Sequence, residues 1–333
     1  MSIELLISLV KANIVLAVLL TNTILLIWFE RKVVAGMQSR VGPDRAGPFG
    51  ILQTLADAIK LLLKEQILPS KADRAMYLLA PLIALVPSFL IFMIIPLGPD
   101  ITIEWQNALY TIPLVGADLN VWVLYFLALS SIAVYSVVLA GWSSGSKYPL
   151  LGGVRASAQM ISYEAAMGLA LVPVILYSGS LSLVDIVNSQ SGNLSSSIPI
   201  LNTIVSFIPK WNIFPQFVAF GIFFIAAVAE VNRAPFDLVE AEQELVGGFH
   251  TEYSGFRFAM FFLAEYINMF NMCAITATFF LGGWLGPTFE GILPPIFSVI
   301  MPIIWLGVKT FLLLFVFVWI RATLPRLRYD QLM

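Results

Sequence analysis

Long apolar stretches separated by short polar segments make up most of this chain. Segments such as 14–29, 121–141 and 216–229 are apolar over nearly their whole length and almost free of charge, and crossing the hydrocarbon core of a bilayer takes about 20 such residues. A helix satisfies its own backbone hydrogen bonds in lipid, whereas a membrane barrel would show short alternating segments. The pattern therefore predicts an all-α, polytopic transmembrane helix bundle.

We predict about seven membrane spans. They cover residues 5–29, 76–96, 121–141, 156–178, 214–230, 258–283 and 301–321. We begin the last span at residue 301 because Pro294, Pro295 and Pro302 would break a longer helix. We expect a single membrane domain over 1–333, with two long segments on one side of the membrane, 30–75 and 231–257.

The composition excludes a soluble protein and several kinds of redox centre. Hydrophobic residues make up 59% of the chain and charged residues 11%, against roughly 25% charged residues in a soluble domain. Cys273 and His250 are the single cysteine and the single histidine, so the ligands of an iron–sulfur cluster, a zinc site or a bis-histidine haem are lacking. We expect any metal-based electron transfer to occur in a partner.

The basic residues predict the orientation in the membrane. With the N-terminus outside, 15 of the 18 lysines and arginines fall on the inner side, and Lys11, Lys210 and Lys309 are the remaining three. Basic residues concentrate in the cytoplasmic loops of membrane proteins. The basic side is therefore predicted to face the cytoplasm, or the matrix in an organelle.

The first inner segment, 30–75, contains a predicted amphipathic helix over 51–68. One face carries Leu52, Leu55, Ile59, Leu62 and Leu63, and the other carries Gln53, Asp57, Lys60 and Lys64. Such a helix lies along the membrane surface or covers an interior cavity. Two Gly-Pro pairs in the preceding loop, 40–50, predict a rigid non-helical path that places Arg40 and Arg45 close together.

The second inner segment, 231–257, is acidic. Together with the preceding residue it carries Glu230, Asp237, Glu240, Glu242, Glu244 and Glu252. Asp237 and Glu240 have the spacing of a helix N-cap and its reciprocal partner. A charge run in a loop is usually just solvated; carboxylates that are partly buried and repel one another could instead hold and pass protons, and both interpretations stay open.

Two glutamates are predicted to lie within the membrane. Glu164 follows Arg155 by nine residues, which at 1.5 Å per residue puts it about 13 Å into the fourth span. Glu265 lies about two helical turns into the sixth span. A bare carboxylate there costs several kcal/mol, so both side chains should face the protein interior, in a structural hydrogen bond or in proton transfer. For Lys309, snorkelling to the interface and pairing with a buried acid are equally favoured.

Several motifs then occur together and in a recognisable order. They are Glu30-Arg-Lys32, Arg40-Val-Gly-Pro-Asp-Arg45, Leu151-Gly-Gly-Val-Arg-Ala156, Ile161-Ser-Tyr-Glu164, Glu230-Val-Asn-Arg-Ala-Pro-Phe-Asp237, Glu240-Ala-Glu-Gln-Glu-Leu-Val-Gly-Gly-Phe249, Ala264-Glu-Tyr266 and Trp319-Ile-Arg-Ala-Thr-Leu-Pro-Arg-Leu-Arg-Tyr-Asp-Gln-Leu-Met333. The chain resembles, over nearly its whole length, the family of membrane proteins that form the H subunit of bacterial NADH:quinone oxidoreductase, equivalent to chain 1 of mitochondrial complex I. That family continues past the last motif into a further helix, so an eighth, C-terminal span is expected after Met333.

The resemblance implies roles for individual residues. Positions around the quinone passage and the interface with the peripheral arm are matched by Arg31, Arg40, Arg45, Asp57, Arg233 and Phe236. Positions of the acidic path for protons are matched by Glu164, Glu230, Glu240, Glu242, Glu244 and Glu265.

The resemblance also implies partners and a location. The substrate would be a quinone, and this chain would bind no cofactor, because iron–sulfur clusters and flavin belong to the partner subunits of the peripheral arm. Other membrane-arm subunits and lipid would complete its surroundings in a bacterial or archaeal plasma membrane or an organelle inner membrane, and no nucleic acid is involved. The corresponding subunit of a membrane-bound hydrogenase or formate hydrogenlyase, and a stand-alone secondary transporter, are the alternatives.

Overall fold

The predicted all-α bundle is confirmed in a computed structural model, which describes residues 3–105, 108–116, 120–193, 209–237, 245–287 and 296–328. The helices are α1 (Ile3–Met37), α2 (Gln53–Leu63), α3 (Arg74–Met93), α4 (Trp122–Ser143), α5 (Lys147–Ser178), α6 (Leu183–Ser189), α7 (Phe217–Glu230), α8 (Gly255–Phe280) and α9 (Ile296–Thr323). Within these residues, six helices contain a stretch long and apolar enough to cross a membrane. The apolar α7 has 14 residues and is shorter, about 21 Å.

Three helix boundaries differ from those predicted. Helix α1 continues to Met37, and α5 begins at Lys147, because polar residues at the ends of a span can remain helical outside the hydrocarbon. Helix α9 begins at Ile296 and passes through Pro302. A proline is tolerated there because neighbouring helices in a membrane bundle re-satisfy the backbone groups that it frees.

The loop after α3 contains a short β-hairpin. Strands β1 (Ile101–Trp105) and β2 (Ala108–Ile112) pair antiparallel, with Ile101 opposite Ile112 and Trp105 opposite Ala108. This hairpin adds a small β element to an otherwise helical protein.

The helices α3, α4 and α5 pack in sequence, and α8 packs against α3 and α9. Trp122 of α4 is almost fully buried, stacks on Phe126 and donates a hydrogen bond of 3.0 Å to the carbonyl oxygen of Ile94. The charges of α1, α7, α8 and α9 meet at one end of this packed core. We call this the basic end of the bundle, after the arginines and lysines that flank the helices there.

At the opposite end, side chains bind the free carbonyl groups where α8 ends. Gln190 donates to Thr278 O at 3.0 Å, and Asn212 donates to Phe279 O at 2.8 Å. Lys309 lies 4.4 Å from the ring centroid of Trp211 and donates to the carbonyl oxygens of Leu281, Gly283 and Leu285. Among the described residues, Lys309 thus neither snorkels to the interface nor pairs with an acid. It binds backbone carbonyls instead, because carbonyls at the end of a helix lack intrahelical partners and attract a cation.

Candidate functional site

Four charged side chains from distant parts of the chain meet at the basic end. They are Glu30 of α1, Arg233 of the loop after α7, Glu265 of α8 and Arg321 of α9, and we call them the Glu30 network. Arg233 Nε lies 2.8 Å from Glu265 Oε1, and Arg233 Nη1 lies 3.5 Å from Glu30 Oε1. Arg321 donates to the same oxygen of Glu30. The Arg233 guanidinium also lies over the ring of Tyr266, 4.4 Å from its centroid.

The members of the Glu30 network depend on one another because two of them are deeply buried. Glu30 is 4% exposed and Arg233 is 5% exposed. Burying a single charge costs several kcal/mol, and opposite charges at ion-pair distance offset that cost. The second oxygen of Glu30, Oε2, is buried without a hydrogen-bond partner among the described residues. Glu30 therefore keeps one unused acceptor position.

A cavity of about 570 Å³ adjoins the Glu30 network, and we call it the large cavity. Its charged lining is Glu30, Arg31, Arg40 and Arg321, and its uncharged lining includes Val34, Val41, Pro43, Phe262 and Tyr266. Its volume lies within the range of sites for small organic molecules, and its lining offers both charged and apolar groups. The large cavity can therefore hold an aromatic ring with polar substituents.

Helix α2 is attached to α1 through Arg31, which also lines the large cavity. Arg31 Nη1 donates to Asp57 Oδ2 at 2.6 Å, and Gln53 Nε2 donates to Asp57 Oδ1 at 3.1 Å. Burial alone raises the pKa of Asp57, but these hydrogen bonds favour the charged carboxylate and hold its pKa below the usual range. The exposed apolar side chains of the helix and its N-cap are Leu52, Leu55, Ile59, Leu62 and Leu63. A helix with such a face fits the surface of a membrane.

A second, small cavity connects two of the predicted glutamates. It has a volume of about 70 Å³, and Glu230, Glu265, Asn232, His250 and Asn268 contribute polar groups to its lining. One water takes up about 30 Å³ in the liquid, so a few water molecules fit. Glu230 of α7 and Glu265 of α8 therefore line one cavity.

Consecutive serines of α4 contact the two glutamates on α7 and α5. Ser130 Oγ donates to Glu230 Oε1 at 2.8 Å, and Ser131 Oγ donates to Glu164. Glu230 is 5% exposed, and Glu164 is partly buried. Because the serines are neighbours on one helix, α4 joins two carboxylates that lie on different helices.

The other predicted site residues do not line the two cavities or lie outside the described residues. Arg45 is exposed and does not line the large cavity with Arg40. Phe236 packs on Tyr163, with 5.3 Å between the ring centroids, and lines neither cavity. Glu240, Glu242 and Glu244, with the helix predicted to begin at Asp237, lie outside the part of the chain that the structure describes.

Sequence reasoning missed four residues of this site. Glu30 and Arg321 were visible as parts of motifs, but a charge at the end of a span is ordinary at a membrane interface. Ser130 and Ser131 lie within an apolar run, where small polar residues commonly pack between helices. Only the three-dimensional pairing distinguishes these residues, because Glu30 and Arg321 are 291 positions apart in the chain.

No group of three or more histidine, cysteine, aspartate or glutamate side chains within the described residues is arranged to hold a metal ion. Cys273 is buried and free. The location of the electron-carrying groups in partner subunits stays a prediction.

Comparison with known proteins finds relatives over nearly the whole chain. The pattern of a family described as NADH dehydrogenase matches residues 10–333. The NADH-quinone oxidoreductase H subunit 2 of Koribacter versatilis is 49% identical over 337 residues, covering 99% of this chain and 91% of that protein. The H subunit 2 of Syntrophobacter fumaroxidans is 50% identical over 328 residues, covering 98% and 89%. The H subunit of Thermomicrobium roseum is 50% identical over 330 residues, covering 99% and 90%.

Proposed function

This chain belongs to the NADH dehydrogenase family, and from that premise we propose that it is the membrane-embedded H subunit of a proton-pumping NADH:quinone oxidoreductase. In this proposal it forms the membrane part of the quinone chamber and anchors the peripheral arm, whose iron–sulfur and flavin subunits supply the electrons. Other membrane-arm subunits continue the proton path. The complex lies in a bacterial plasma membrane, with the N-terminus of this chain outside.

The large cavity is the observation that carries the proposal. Arg40 and Arg321 provide N–H donors for the carbonyl oxygens of a quinone ring, and Val34 and Phe262 provide apolar contact. Glu30, which also lines the cavity, is an acceptor for a hydroxyl group of the reduced form. The cavity therefore offers complementary groups to both oxidation states.

The Glu30 network supports a link between quinone chemistry and proton movement. Arg233 is shared by Glu30, which lines the large cavity, and Glu265, which lines the small one. Reducing a quinone takes up two protons and changes the charge next to Glu30. Because Arg233 is attracted by both carboxylates, a change at Glu30 alters the stabilisation of charge at Glu265.

The proposed proton path runs from Glu265 to Glu164. Glu265 and Glu230 share the small cavity, which can hold water. Ser130 contacts Glu230, and its neighbour Ser131 contacts Glu164. A hydroxyl group both donates and accepts hydrogen bonds, so serines can lie between carboxylates along such a path.

The proton role is tested with Glu230→Gln and Glu265→Gln in the assembled complex. We expect each to lower quinone-coupled proton pumping by about tenfold or more, since a neutral amide cannot take up a proton as a carboxylate does. Reduction of ferricyanide by the peripheral arm should be unchanged. Asp100→Asn, which removes an exposed acid at the opposite end of the bundle, is the control and should pump normally. Normal pumping in both glutamine variants would refute the path.

The quinone role is tested with Arg40→Ala. Loss of a guanidinium from the lining of the large cavity should raise the KM for a short-chain quinone about tenfold, the effect of losing one charge-assisted hydrogen bond. Lys147→Ala removes an exposed cation from the basic end and should leave the KM unchanged. Equal KM values in both variants would remove Arg40 from the quinone site.

A further inference from the structure

The residues that follow α9 lie against the loop between α7 and α8. The helix ends two residues before Pro325, which has no backbone N–H with which to continue it. The backbone N–H of Leu327 donates to the carbonyl oxygen of Pro235 at 3.1 Å. Arg326 Nη2 donates to Asp237 Oδ2 at 2.6 Å. We call these two contacts the terminal clamp.

The clamp holds a carboxylate that is almost completely buried. Asp237 is 5% exposed, whereas the Arg326 side chain keeps 38% of its surface accessible. A buried carboxylate requires compensation by opposite charge and hydrogen bonds. The guanidinium of Arg326 provides both, in a geometry that an uncharged side chain at position 326 cannot reproduce.

The end of α9 reaches the same loop at a second point. Arg321, in the last turn of α9, donates to Glu30, and Glu30 pairs with Arg233. The loop segment from Arg233 to Asp237 is therefore tied to α9 at both of its ends, through Glu30 at the first and through Arg326 at the second. A shift of α9 or of its terminal segment would move Arg233 and Asp237 together.

Asp237 is also the residue at which the acidic stretch of the loop begins. Residues 238–244, with Glu240, Glu242 and Glu244, lie outside the described residues, but they are covalently attached to Asp237. On the other side, Arg233 reaches Glu265. The terminal clamp thus acts on a short loop segment whose other end, at Arg233, pairs with Glu30 and Glu265.

We infer that Arg326 is a positioning residue for the coupling of quinone reduction to proton pumping. By holding Asp237, it sets the position of the loop between the Glu30 network and the acidic stretch. The inference rests on the proposed function and adds a residue that does not line the large cavity. Arg326 does not touch the quinone in this scheme, and its effect passes through Asp237.

The test uses the assembled membrane complex with Arg326→Gln, Arg326→Lys, Asp237→Asn and the double variant Asp237→Asn/Arg326→Gln. Lys147→Gln, an exposed cation at the basic end, is the matched control. Each activity is divided by the ferricyanide reductase activity, which corrects for the amount of assembled complex. The measured quantities are kcat and KM for a short-chain quinone and the number of protons pumped per electron pair.

We expect Arg326→Gln and Asp237→Asn each to lower kcat about tenfold with less than about a twofold change in KM, since misplacing a reacting constellation reduces turnover rather than binding. The double variant should be no worse than either single variant, because both remove the same contact. Arg326→Lys, which keeps the charge, should retain about half of the kcat or more.

Other outcomes would overturn the inference. A lower yield of complex with normal kcat per complex would show that the clamp serves only assembly. Effects that multiply in the double variant would show that Arg326 and Asp237 act independently. If Glu230→Gln or Glu265→Gln loses pumping while the clamp variants are normal, the inference fails alone. If both glutamine variants also pump normally, the proposed proton path fails with it.

Discussion

Ser130 of α4 donates a hydrogen bond of 2.8 Å to the carboxyl group of Glu230, the last residue of α7. Both side chains are buried, with 3% and 5% of their surface exposed. The second oxygen of Glu230 has no hydrogen-bond partner among the described residues. Ser130 is therefore the side chain that fixes the orientation of this carboxyl group and leaves its other oxygen available.

Ser130→Ala should reduce quinone-coupled proton pumping while leaving ferricyanide reduction intact. The variant removes the hydroxyl that orients Glu230 and leaves a buried carboxyl oxygen without its donor, at a cost of roughly 1–3 kcal/mol. If that loss appears fully in the proton-transfer step, pumping falls by roughly five- to 150-fold. The measurement is the initial rate of proton uptake in vesicles that contain the assembled complex.

Ser88→Ala is the matched control for this prediction. Ser88 is equally buried, but its hydroxyl bonds to the carbonyl of Ala84 in its own helix, at 2.9 Å. Its loss should not affect pumping. If Ser130→Ala and Ser88→Ala pump at the same rate, the contact with Glu230 has no part in proton transfer.

The spans of this protein are predictable because their signal is local. A run of apolar residues long enough to cross a bilayer must be a helix, whatever its neighbours are. This holds for α3 and α4, whose predicted spans of 76–96 and 121–141 are close to Arg74–Met93 and Trp122–Ser143. The polar ends of α1 and α5 were not predictable, since hydropathy does not distinguish a helix that continues outside the lipid from a loop.

The site was predictable only in part because its contacts are non-local. Glu164 and Glu265 could be identified from the cost of a carboxylate in lipid, which requires no knowledge of the fold. That Arg233 lies between Glu30 and Glu265 depends on how α1, α8 and the loop after α7 pack together. No periodicity in the sequence reports such a pairing.

Glu30→Gln should destabilise the complex, because it leaves Arg233 and Arg321 close together without the carboxylate between them. Breaking a buried ion pair by removing one partner costs about 3–5 kcal/mol. We expect a lower yield of assembled complex and a lower melting temperature of what assembles. Glu252→Gln, on the same side but not part of the Glu30 network, should have neither effect. A normal melting temperature for Glu30→Gln would mean that the network is not needed for stability.

Gly152→Ala should displace the turn that carries His250 into the small cavity. A Cβ atom at position 152 would lie 2.8 Å from Gly248 Cα and 3.0 Å from Phe249 N. Both are backbone atoms, so the turn must move, at a cost of roughly 1–3 kcal/mol. Pumping should fall with the melting temperature.

Gly221→Ala is the control for this glycine. A Cβ at position 221 of α7 meets nothing within 4 Å, and alanine is a better helix former than glycine by about 1 kcal/mol. This variant should be as stable as the unchanged protein or more so. Equal melting temperatures for the two alanine variants would contradict the close approach of α5 to the turn.

Lys309→Met should loosen the end of α8 that lies away from the large cavity. Lys309 donates to Leu281 O at 2.6 Å and to Gly283 O at 2.9 Å, and methionine leaves these buried carbonyls without a donor, at a cost of about 2 kcal/mol. Amide hydrogen exchange should accelerate in residues 277–287, while the KM for quinone should not change because the cavity lies at the basic end. Lys210→Met is the control and should leave exchange unchanged, as its side chain makes none of these contacts. Unchanged exchange in Lys309→Met would show that the remaining bonds from Gln190 and Asn212 are enough to hold this end of α8.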